Sequence, residues 1–74
     1  MGSRPQLNFR QVAKKLKKFG FDKDRQRGSH VVFRNETSSR TTTVPDHGKK
    51  PLKTGTLKSI IEQAGIDADE FWKA

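Results

Sequence analysis

Gly28-Ser29-His30-Val31-Val32-Phe33-Arg34-Asn35 is the stretch on which the fold turns. Val31, Val32 and Phe33 are β-branched or aromatic, the residue types that suit a pleated, half-buried backbone, so residues 29–35 read as a strand. Successive side chains on a strand point to opposite faces, which groups Val31 with Phe33 and His30 with Val32 and Arg34. Phe33 is the better core residue, so His30 is expected on the open face or near its edge. Gly28 permits a tight turn before this strand. Upstream, residues 22–27 alternate Asp22, Asp24 and Gln26 against Lys23, Arg25 and Arg27, a polar and therefore weaker strand. Downstream, residues 35–39 form a polar turn. Residues 40–45 then supply three threonines and a valine before Pro45 ends the run. The expected sheet is a three-stranded antiparallel meander.

A sheet with one apolar face needs cover, and the flanks provide it. Phe9, Val12, Ala13, Leu16 and Phe19 fall at helical spacing. Asn8 and Gln11 match a capping box, with Leu7 and Val12 at the positions of a hydrophobic staple. Gly20 suits a left-handed C-cap, with Phe21 folding back on Leu16 as a Schellman motif requires. A loop over residues 46–53 leads to a second helix beginning near Thr54 to Thr56. This helix carries Leu57, Ile60, Ile61 and Ala64 and ends at Gly65, with Ile66 packing back on Ile61. Asp67 and Glu70 form a second capping box, opening a short final turn with Phe71 and Trp72. The order is α-β-β-β-α, an α+β sandwich of the double-stranded-RNA-binding type, with both helices on one sheet face. Residues 1–74 are expected to be one domain. Residues 1–6 are expected to be a flexible or cloning-derived tail without functional weight.

Charge narrows the function. The chain of 74 residues has 16 Lys and Arg against 8 Asp and Glu, a net charge of +8. The excess lies before Ser59. After it stand Lys73 and four acids, Glu62, Asp67, Asp69 and Glu70. A basic first helix, sheet and loop attract polyanions, of which RNA and DNA are the commonest. No run reaches the roughly 18 apolar residues that cross a bilayer, and no long amphipathic helix suits a membrane surface. The chain has no cysteine, so disulfides and thiolate metal sites are excluded, in keeping with a reducing cytoplasm.

Two histidines carry the candidate chemistry. An imidazole changes charge near neutral pH, as general acid–base work requires. His30 shares its face with Arg34, and Arg25 and Arg27 on the paired strand could grip phosphate beside it. His47, in Pro45-Asp46-His47-Gly48-Lys49, is a candidate second acid–base group or phosphate donor. A loop histidine held by Asp46 or by backbone is an equal reading. Lys14, Lys17, Lys49 and Lys50 are candidate RNA contacts. Asp22 and Asp24 share a strand face but read as solvated charges. No metal-ligand spacing or phosphate-binding loop is present, so neither a metal nor a small-molecule cofactor is expected.

Four stretches together resemble the HicA (YcfA-like) toxin family, over roughly residues 8–71. They are Val12-Ala13-Lys14-Lys15-Leu16-Lys17-Lys18-Phe19-Gly20-Phe21, Arg25-Gln26-Arg27-Gly28-Ser29-His30, Val44-Pro45-Asp46-His47-Gly48 and Gly55-Thr56-Leu57-Lys58-Ser59-Ile60-Ile61-Glu62-Gln63-Ala64-Gly65-Ile66. The resemblance implies a toxin of a type II toxin–antitoxin system, an endoribonuclease that cleaves mRNA; the missing metal-ligand spacing makes the expected cleavage metal-independent. It makes His30, in the G-S-H motif, the catalytic residue and His47 an auxiliary one. It also implies a HicB-type antitoxin partner and a bacterial or archaeal cytoplasm. The turn at Asn35-Glu36-Thr37-Ser38-Ser39 departs from the family's Pro-Asp-Gly type, which bears on hairpin geometry rather than chemistry. Two other readings stay open: a non-catalytic RNA-binding module, and a protein-interaction domain whose charge is incidental.

Overall fold

The structure, a computed structural model, describes residues 6–74. The expected tail falls mostly on residues 1–5, outside the described residues. The elements are α1 (Phe9–Lys18), β1 (Phe21–Arg27), β2 (His30–Asn35), β3 (Arg40–Pro45), α2 (Thr54–Ala64) and α3 (Ala68–Lys73). The strands form one antiparallel sheet in the order β1-β2-β3. One face is closed by the helices, with Phe21, Val31, Phe33, Thr42 and Val44 buried against Val12, Leu16, Leu57, Ile60, Ile61 and Phe71. The other face is open.

Local signals set the helix ends. The Asn8 side chain accepts from the Gln11 amide at 3.0 Å and the Gln11 side chain accepts from the Asn8 amide at 2.9 Å, so the capping box is complete. Gly65 sits at φ 70, and the Ile66 amide reaches the Ile61 carbonyl at 3.2 Å, the six-to-one bond of a Schellman motif. The end of α1 differs from expectation. Gly20 does have φ 88, and its amide reaches the Lys17 carbonyl at 3.0 Å, the five-to-two bond of a Schellman motif, but the Leu16 carbonyl accepts from the Phe19 amide at 3.0 Å in place of Phe21. The second capping box is half made: Asp67 accepts from the Glu70 amide at 3.2 Å without a return bond from the Glu70 side chain. The final turn is a six-residue helix. Lys15 holds it, donating to the carbonyls of Trp72 at 3.4 Å and Ala74 at 2.6 Å.

The sheet has two devices that alternation alone does not give. Asp24 is unpaired between Lys23, opposite Phe33, and Arg25, opposite Val32, so β1 carries a bulge. The expected sharing of a face by Asp22 and Asp24 therefore does not hold as regular alternation. The turn after β2 is closed by Asn35. Its Oδ1 accepts from the Thr37 and Ser38 amides at 2.8 and 3.1 Å, and its Nδ2 donates to the Phe19 carbonyl at 2.9 Å. Pairing runs cleanly to Asn35 opposite Arg40, so this turn keeps the hairpin in register without Pro or Gly.

Candidate active site

Gly28 and Ser29 join β1 to β2 with Gly28 at φ 58 and Ser29 at negative φ, the pattern of a type II′ turn. Such a turn places Arg27 directly opposite His30, and β3 places Pro45 on the other side of it. Directly paired residues share a face. The open face is therefore a grid of three rows: Arg27, His30 and Pro45; Arg25, Val32 and Thr43; Asp22, Arg34 and Thr41.

His30 is exposed at the corner of this grid, and its ring makes no hydrogen bond among the described residues. The structure brings Arg25, Arg27 and Arg34 onto its face. Arg25 lies 3.9 Å from Asp24 and Arg34 lies 3.5 Å from Glu36, both solvent-exposed pairs that leave the guanidinium groups free to exchange partners.

The loop after β3 is fixed to the same corner. The Asp46 amide donates to the Ser29 carbonyl at 2.6 Å. The Asp46 side chain accepts from the Gly48 amide at 2.9 Å, an Asx turn around His47. Asp46 thus holds the loop backbone, not the His47 ring, which is exposed and makes no hydrogen bond among the described residues. Lys49 and Lys50 follow on this loop, both exposed. Its far end is stitched to α1: Pro51 bridges Asn8, and the Leu52 amide donates to the Leu7 carbonyl at 2.7 Å.

Lys14 and Lys17 are not on the grid. They line a cleft of about 440 Å³ between α1 and β1, with Arg10, Lys23 and Asp22. Among the described residues no three His, Asp or Glu side chains gather as a metal site, and no helix is long and apolar enough to cross a membrane.

Residues 9–66 match the family described as HicA toxin of bacterial toxin-antitoxin. The chain belongs to the HicA toxin family. It is also 32% identical over 60 residues to a Pseudomonas fluorescens (strain Pf0-1) protein named probable mRNA interferase HicA, covering 81% of this chain and 97% of that one. The match spans α1 to the end of α2, so the grid and both histidines lie within the HicA region.

Sequence reasoning missed three features of these candidate surfaces. Arg10 was legible, since Arg10, Lys14 and Lys17 recur at i, i+4 and i+7 on one helix face. Lys23 joins them only because of the bulge, which has no sequence signal. The backbone bond from Asp46 to Ser29 is likewise invisible until the strands are paired.

Proposed function

We propose that this HicA-family chain is a metal-independent endoribonuclease acting on mRNA, with His30 transferring the proton. The coarser part, an RNA-cleaving toxin with an antitoxin partner, follows from the family. The observation that carries the finer part is the corner row: an exposed imidazole between the Arg27 column and a loop bearing a second imidazole.

The chemistry needs few groups. His30 removes the proton of a ribose 2′-OH, the 2′-oxygen bonds to the adjacent phosphorus, and the bond to the 5′-oxygen breaks. That oxygen takes up a proton, from the histidine just charged or from His47. Arg25 and Arg27 stabilise the negative charge that grows on the phosphorus oxygens. Lys14, Lys17, Lys49 and Lys50 contact phosphates elsewhere along the strand, adding affinity without reading bases. A HicB-type antitoxin covers the active corner, and the pair acts in the bacterial or archaeal cytoplasm where mRNA is found.

His30→Ala tests this. Loss of a general base typically costs about 10²–10⁴ in rate. We expect that fall in cleavage of single-stranded RNA in EDTA, with unchanged thermal stability because the ring is exposed. His47→Ala should do less. Retained turnover in His30→Ala would overturn the assignment. Cleavage that stops in EDTA and returns with a divalent ion would overturn the metal-free route. Tight RNA binding without any wild-type turnover would make the chain a binding module.

A further inference from the structure

We propose that the open sheet face is a track for single-stranded RNA, with phosphates over the β1 column and bases over Val32 and the β3 column; this rests on the RNA-cleaving reading above. The grid is asymmetric. Its β1 column holds Arg27 and Arg25, with Asp22 at the end away from His30, its middle column His30, Val32 and Arg34, and its β3 column Pro45, Thr43 and Thr41. Cations thus lie on one side and in the middle, and the third side is uncharged. Val32, half-buried, is the apolar centre.

A single strand has the same asymmetry. Its charge runs along one edge and its unstacked bases project from the other. Three strands span about 10 Å, and His30 to Arg34 is about 14 Å along β2. This suits a few extended nucleotides. An A-form duplex carries phosphates on both margins and hides its base faces, so the neutral β3 column would gain nothing from it. Apart from the His30 imidazole no aromatic ring stands on the grid, so bases would rest on the methyl groups of Val32 and Thr43 and on the Pro45 ring. The track runs directly to His30, which places a ribose beside the imidazole without any movement of the sheet. The cleft along α1 is the competing RNA surface. Its cations, Arg10, Lys14, Lys17 and Lys23, stand beside Ala13, Phe21 and Phe33, but both phenylalanines are buried and offer no open ring face to a base.

The probe is a short 2′-O-methyl RNA, which cannot be cut, used single-stranded and annealed to its complement, with binding read by fluorescence anisotropy. The single strand should bind about tenfold tighter than the duplex. Thr43 is exposed, so Thr43→Glu should stay folded, and it should weaken single-strand binding about tenfold. Lys58→Gln removes the same unit of charge on α2 and should change binding by less than about twofold. Duplex binding equal to or tighter than single-strand binding overturns the proposal. So does a Thr43→Glu effect no larger than that of Lys58→Gln, with binding lost instead on charge removal at Lys14 and Lys17. Because the probe is uncleavable, these results stand apart from the His30→Ala turnover assay, and either reading can fail alone.

Discussion

Asn35→Ala isolates the device that keeps the second hairpin in register. The side chain makes three hydrogen bonds, two from the Thr37 and Ser38 amides and one to the Phe19 carbonyl. Each is worth about 0.5–1.5 kcal/mol net. Because the turn is exposed, water recovers part of the two amide bonds, so the expected loss is about 1.5–3 kcal/mol. A 74-residue domain has only about 4–11 kcal/mol in total. At about 4–8 °C per kcal/mol, the midpoint should fall by roughly 6–24 °C. Asn35→Asp keeps the oxygen that accepts both amide bonds but sets a second oxygen against the Phe19 carbonyl in place of the donor, so it separates the turn bonds from the bond to Phe19. Circular dichroism melts and urea unfolding measure both. Cleavage at low temperature should be unaffected, since Asn35 stands at the opposite end of β2 from His30. A midpoint shift under about 2 °C would mean that strand pairing alone sets the hairpin and the bonds to Asn35 are incidental.

Gly65→Ala should destabilise by about 1–2 kcal/mol through left-handed strain at φ 70; the new Cβ would also stand 2.5 Å from the Arg40 Nε and displace that side chain. Chemical denaturation of the single variant and of Gly65→Ala with Arg40→Ala separates the two effects. Phe71→Ala removes a fully buried ring that stacks on Phe19 at 6.4 Å and meets Trp72 edge-on at 5.8 Å. The expected loss of about 3–5 kcal/mol is enough to leave much of the protein unfolded near 37 °C, visible in the same melts.

The sequence made legible whatever follows from local periodicity. The extent of β2, to within one residue, and the placement of His30 on the open face rest on Val31 and Phe33 turning inward, and the capping box rests on Asn8 and Gln11, three positions apart. Features set by pairing were not legible. β1 is polar over six of its seven residues, so after Phe21 nothing apolar pins its register and the unpaired Asp24 leaves no trace in the pattern. Thr42 reads as an ordinary strand threonine, yet it is buried, donating its hydroxyl to the Ile60 carbonyl at 3.0 Å. Lys15 reads as one more cation of a basic helix, whereas its ammonium group ties down α3. Leu52 hides in a loop rich in Lys, Pro and Gly and is buried because the loop pairs back to Leu7.

Burial and chemistry divide cleanly between the two sheet faces. The closed face carries the described strand core, including the buried Thr42 hydroxyl, with no unpartnered buried polar side chain among the described residues. The open face holds the imidazole and three of the arginines. A domain of this size has little stability to spare, and charges brought close together inside it would cost several kcal/mol each. Placing them on a solvated face removes that cost. The edges follow the same logic. On β3, the Thr43 amide is capped by the Gln63 side chain at 3.3 Å and Pro45 has no amide to offer. On β1, the bulge and the charges of Lys23, Arg25 and Arg27 discourage another strand from pairing. The cations proposed to hold phosphate on one side of the sheet thereby also guard its edge against aggregation, so neutralising Arg25 and Arg27 together is expected to weaken both RNA binding and solubility while leaving the packed face as it is.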